Sequence, residues 1–184
     1  PASTVTDEAL AGFYPAYVAL FFGAIAGGMA LEAFWPRNRL RQPLRRRWLA
    51  NVTLFAINQV LFRALLPLTT VGAALLATGR GWGLLNVLAV PAPVAFVASL
   101  LVLDGAYYAL HRLEHTVPLL WRFHRLHHSD PDVDVSTGVR FHPVEALVQV
   151  AMAAAVAIVI GAQPLAAVAH MVLLGVVGPF SHMN

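Results

Sequence analysis

Five histidines fall within eighteen residues of this sequence, in the patterns His111-x-x-x-His115 and His124-x-x-His127-His128. On a helix, residues four apart share a face about one turn from each other, so each pattern offers a metal ion more than one ring nitrogen. Thr116-Val117-Pro118 separates the two patterns, and proline breaks a helix, so two bent segments can aim both faces at one point. One ion seldom takes five protein histidines, whereas two ions sharing a site need at least that many; the count favours a dinuclear centre. Imidazole suits zinc, copper, iron and nickel alike, so ligand type leaves the metal open. The chain has no cysteine, which excludes disulfides, thiolate ligands and cysteine nucleophiles.

Other residues extend the pattern. Asp104 precedes His111 by seven residues, two helical turns along the same face of an apolar run, where a carboxylate is costly unless used. The expected role is to accept the free ring N–H of a ligand histidine and fix its tautomer. Asp104 and Glu114 would also balance the charge of bound cations. Glu114 belongs to a competing pattern, H-x-x-E-H, in which it would be the general base of a membrane zinc hydrolase; that pattern leaves His124, His127 and His128 unexplained. A non-catalytic metal-binding or metal-transporting membrane protein is a third reading, and the gathering of the histidines at one helix mouth, not along a path through the bilayer, speaks against it. His142, before Pro143 and Glu145, reads as a loop-shaping residue, and His170 as structural. Arg112, Arg122, Arg125 and Arg140 read as interfacial side chains, and Asp130, Asp132 and Asp134 as solvated loop charges.

The elements that position these residues are membrane helices. Of 184 residues, 59% are hydrophobic and 11% charged, with a mean hydropathy of +0.69, whereas an ordinary soluble domain carries about 25% charged residues. An apolar run over 13–35 is long enough to cross a bilayer, too long for a cleavable leader core, and no basic residues precede it. Six of the twelve arginines follow at once, between Arg37 and Arg47. The cluster is an orientation signal that places this loop in the cytoplasm, and nucleic acid is discarded as a partner. A helical stretch over 48–77, carrying Asn51, Asn58, Gln59, Arg63 and Pro67, is expected to pack its first half against protein or the interface. A further helix over 94–110 brings His111 to the cytoplasmic mouth. Two shorter apolar runs, 146–160 and 165–180, flank a Gly161-Ala-Gln-Pro164 hairpin that returns His182 to the histidine face. The expected fold is all-α, an integral membrane helical bundle of about four to five transmembrane helices with a cytoplasmic histidine-rich metal site. Residues 1–83 would form its N-terminal helices and 84–184 the histidine-bearing region.

Asp104-Gly-Ala-Tyr-Tyr-Ala-Leu-His-Arg-Leu-Glu-His, Pro118-Leu-Leu-Trp-Arg-Phe-His-Arg-Leu-His-His-Ser and Arg140-Phe-His-Pro-Val-Glu together resemble the fatty acid hydroxylase superfamily, also called the sterol desaturase family. The resemblance runs over about 84–184. It implies a non-haem diiron membrane oxygenase that uses O2 to hydroxylate or desaturate a lipid, acyl chain or sterol-like substrate. His111 and His115 would form the first ligand box and His124, His127 and His128 the second. Ser181-His182-Met-Asn is similar to the stretch before the last box, which makes His182 a further expected metal ligand. That last HxxHH box is absent from this sequence, so the expectation is that a complete centre belongs to a longer parent protein. No flavin, haem or iron–sulfur motif is present. Electrons would therefore come from an external donor, a ferredoxin-type protein or small cytochrome with its reductase. The expected location is an inner bacterial membrane with the site on the cytoplasmic face.

Overall fold

A computed structural model describes residues 7–38, 41–65 and 69–184. Among these the chain is helical with no strand. Helix α1 (Asp7–Phe34) leads into α2 (Leu44–Leu65), α3 (Thr70–Arg80) and the single turn α4 (Leu84–Val87). The expected continuous helix over 48–77 is two helices, and Pro67 falls between them, outside the described residues. Helix α5 (Ala92–Thr116) starts at the proline pair as expected, with Pro91 as its N-cap and Pro93 in its first turn. It runs past residue 110 because nothing breaks it before Val117, which precedes Pro118 and is forced into extended backbone. Both histidines of the first pattern therefore ride on α5. Helix α6 (Pro118–His124) follows at once, then a 3-10 turn at His127–Ser129 and another at Val135–Val139. The chain closes with α7 (Pro143–Ile160), α8 (Pro164–Val172), a π-helical segment at Leu173–Val177 and the short α9 (Gly178–Phe180).

Among the described residues, three helices are long and apolar enough to cross a membrane: Pro15–Phe34 of α1, α5 and α7. Pro164–Phe180 is apolar but shorter. Helix α2 carries Arg47, Asn51 and Asn58 along one stripe, and all three are buried; the stripe faces the loop after α6, and Asn58 donates to the Phe141 carbonyl at 3.0 Å. The expectation that the first half of this stretch packs on protein describes its geometry.

Helix α3 packs on α7, and α5 packs on α6, α7 and α8. The core between them is built from small side chains, Ala73, Ala74, Ala154, Ala157, Ala162 and Ala167, around Leu103. Lipid tails are as apolar as leucine, so helices in a bilayer gain by close backbone approach, which alanine permits. The approach is tightest where Gly83 and Gly161, both at positive φ, meet backbone to backbone; a Cβ on Gly83 would overlap the Gly161 backbone. Gly161 is also the left-handed cap of α7 that makes the expected hairpin.

Candidate metal centre

The histidines of both patterns converge. His111 and His115 come from the last two turns of α5, His124 from the end of α6 and His128 from the 3-10 turn, and one ligand nitrogen from each lies within 4.8 Å of the others. The Nε2 atoms of His115, His124 and His128 form a near-equilateral triangle with sides of 3.2, 3.2 and 3.0 Å. Bonds of about 2.1 Å from a shared cation would space neighbouring nitrogens by roughly 3.0–3.4 Å, from octahedral to tetrahedral angles. The triangle has that spacing.

His124 fixes the polarity of the cluster. It is fully buried, and its Nδ1 meets Glu145 Oε1 at 2.7 Å. An N–H donated there leaves the lone pair of Nε2 pointing at the two neighbouring Nε2 atoms. Three ring nitrogens facing one another repel unless a cation or shared protons lie between them. Behind the ring the charge is opposite: Glu114 and Glu145, both buried, close within 4.8 Å of each other and of His124. Gln149 Nε2 donates to Glu114 at 3.3 Å and to Glu145 at 3.5 Å. Glu114 Oε2 lies 3.6 Å from Nδ1 of both His111 and His124 and has no hydrogen-bond partner. Two buried carboxylates at this separation need nearby positive charge or a shared proton. The donor set and the orphaned oxygen both fit a cation on the imidazole side.

His127 departs from the one-face expectation. Helix α6 ends at His124, and in the tighter 3-10 turn that follows, the His127 ring, 5.1 Å from that of His128, turns its Nε2 to within 3.1 Å of His182 Nε2. His127 is buried; burial, with His182 and His128 beside it, pushes its imidazole down to about 3. His128 is also lowered, by burial and by His124 and His115. Neutral rings are what ligation requires. The histidines thus fall into a group of four and an adjoining pair. His182 reaches the pair because Gly138 lets its own turn press against Pro179: a Cβ there would meet Pro179 Cα at 2.6 Å and His182 Nδ1 at 3.3 Å.

Asp104 is placed differently from expectation. Its side chain is exposed and makes no hydrogen bond to any of these histidines, and His170 is its electrostatic neighbour. Seven residues of helix span about 10 Å, beyond the reach of an aspartate. The ring-anchoring contact expected of Asp104 is made by Glu145. His142 caps α7, accepting from Val144 N–H at 3.1 Å, and sits away from the cluster.

Asp130, Asp132 and Asp134, expected as solvated, are all buried. Arg47 bridges Asp130 and Asp134 at 2.9 and 2.7 Å, and Asp132 accepts the backbone N–H groups of Arg41 and Gln42 at 2.8 Å. Burial raises the Asp130 carboxyl, but hydrogen bonds from Asn51, Arg47 and Thr137 outweigh it and hold the group below its ordinary range. Glu32, near the end of α1, accepts Val135 N–H at 3.1 Å. The acids are internal ties of the loop that follows the second pattern, and contacts 83 to 103 residues apart in sequence left no local signal of this.

A helical chain with bilayer-length apolar helices and an imidazole cluster at the junction of two of its helices belongs to the membrane proteins equipped to hold metal. The region 96–184, with His111, His115, His124, His127, His128 and His182, matches the model of the fatty acid hydroxylase family. The chain is 40% identical over 62 residues to an ornithine lipid hydroxylase of Rhizobium tropici, covering 33% of this chain and 19% of that protein. It is 59% identical over 29 residues to a fatty acid hydroxylase of a Lecanicillium species, covering 16% and 8% respectively. Human alkylglycerol monooxygenase matches at 38% over 48 residues, 26% of this chain and 11% of the relative. The matches thus span less than a fifth of the length of these curated relatives. No solved structure matches the chain.

Proposed function

We propose that this chain carries the histidine centre of a membrane non-haem diiron oxygenase that hydroxylates, or desaturates, a lipid, acyl chain or sterol-like substrate entering from the bilayer. The observation that carries the reading is the division of the histidines into four rings around one point and a His127–His182 pair beside them. Two adjoining groups suit two ions, and neutral nitrogen ligands with carboxylates behind them suit iron. The relatives support the substrate class, being named for a lipid, an alkylglycerol and a fatty acid.

Iron bound there would supply the activation of dioxygen and the oxidation of an unactivated C–H bond. The chain's own residues do the rest. His111, His115, His124 and His128 would hold one ion, and His127 and His182 would contribute to the second. Glu145 holds His124 in the tautomer that leaves Nε2 free. Glu114, behind the rings, balances the charge of the centre. Its burial also argues against the zinc-hydrolase reading, which needs that carboxylate beside a metal-bound water on the open side of the ion. Electrons would arrive from a ferredoxin-type or small cytochrome donor on the cytoplasmic side, an orientation that the arginine cluster after α1 supports.

Metal analysis of the purified protein is the test. Close to two irons per chain is the expected result; a single tightly held zinc would overturn the diiron reading in favour of hydrolysis.

A further inference from the structure

Arg140 reads from the sequence as an interfacial side chain, yet each nitrogen of its half-buried guanidinium donates to another segment of the protein. Its Nε donates to the Leu126 carbonyl at 2.9 Å, Nη1 to Asn51 Oδ1 at 2.7 Å and Nη2 to Ser129 Oγ at 3.1 Å. Leu126 and Ser129 bracket the 3-10 turn that carries His127 and His128, so one side chain grips that turn at both ends. The same residue acts a second time through its backbone: its carbonyl lies 3.3 Å from His127 Nδ1. An N–H donated there leaves the His127 Nε2 lone pair facing His182.

The grip has a fixed foundation. Asn51, on α2, is fully buried, and its Nδ2 donates to Asp130 Oδ2 at 3.0 Å and to Ser136 Oγ at 2.9 Å. With both donors used, its Oδ1 is held toward Arg140. Asn51 lies outside the family-matching region 96–184, so a helix beyond that region is wired to the turn bearing two of the candidate ligands.

We propose that Arg140, seated on Asn51, is a positioning residue for His127: it sets the path of the His127–Ser129 turn and the tautomer of the ring. The proposal rests on the reading of His127 as a metal ligand. Lysine cannot substitute, because one ammonium cannot reproduce a planar fork that reaches three acceptors in three segments.

The test is a Co2+ titration of the membrane-reconstituted protein, followed by its visible absorption bands, in the wild type, Arg140→Ala, Arg140→Lys, His127→Ala and the His127→Ala/Arg140→Ala double variant. Each Arg140 variant is expected to weaken Co2+ binding by about 10- to 100-fold and to alter the band shape. In the His127→Ala background the Arg140 substitution is expected to cost less than it does in the wild type, because the part of its effect that runs through His127 is already lost. Losses that multiply in the double variant assign Arg140 a general structural role and overturn the proposal. Wild-type titrations from the Arg140 variants beside a weakened His127→Ala overturn it alone, and a wild-type titration from His127→Ala overturns it together with the ligand reading of His127. Should Arg140→Ala fail to fold, Arg140→Lys carries the same cycle.

Discussion

His124 and Glu145 meet at 2.7 Å, Nδ1 to Oε1, with neither side chain open to solvent. The contact joins the end of α6 to the first turn of α7 and turns the opposite nitrogen of His124 toward His115 and His128. One hydrogen bond thus orients the central ring of the cluster.

Replacing Glu145 by glutamine keeps the size of the side chain and removes the carboxylate. The expected outcome is a loss of about 10- to 100-fold in metal affinity, the usual cost of disturbing the partner of a ligand histidine. Competition titration with a chromophoric chelator measures it, and unchanged affinity would remove Glu145 from the centre.

His142 separates capping from ligation. His142→Ala deletes the acceptor for Val144 N–H at the start of α7, and an N-cap is worth about 1 kcal/mol. A small drop in thermal stability with wild-type metal content is expected, whereas His124→Ala should lose metal. Equal metal loss from the two variants would contradict this division.

Gly138→Ala places a methyl group against Pro179 and close to His182. Overpacking of this kind costs about 1–3 kcal/mol, and relief by backbone movement would part His182 from His127. Metal-content analysis is expected to show a selective loss of the second ion with the four-histidine group still loaded; two ions retained would show that the pair tolerates the shift.

Arg47→Ala strands Asp130 and Asp134 without their buried cation, a change that costs about 3–5 kcal/mol. In the wild type the Asp130 carboxyl titrates below its ordinary value. Its contribution to stability is therefore present above about pH 4, the unfolded carboxylate range, and is lost as pH falls through the lower folded value. Unfolding followed by circular dichroism should show the Arg47→Ala penalty undiminished at neutral pH and shrinking below about pH 4. A penalty that stays constant through that range would trace it to lost packing and not to the ion pair.

The helices and the meeting of the two histidine patterns were legible because they rest on local rules. Apolar length gives α1, α5 and α7, Pro118 gives the bend, and the four-residue spacing of His111 and His115 puts both on one side of α5. What could not be read depended on contacts between distant segments. Nothing near His124 in sequence points to Glu145, and nothing near Asp130 points to Arg47. The helical register of Asp104 suggested a partner that the rise of the helix puts out of reach. The i, i+3, i+4 pattern of the second box implied a single face, and the change from α-helix to 3-10 turn redirected His127 to His182.

Arg47 and Asn51 on α2 and Glu32 on α1 all bind the loop that runs from the second histidine box to α7. An excised segment beginning at residue 96 would keep every imidazole and lose the carboxylate, guanidinium and amide that hold this loop in place. For anyone transplanting the histidine motifs onto another scaffold, the opening helices are cargo that has to travel with them.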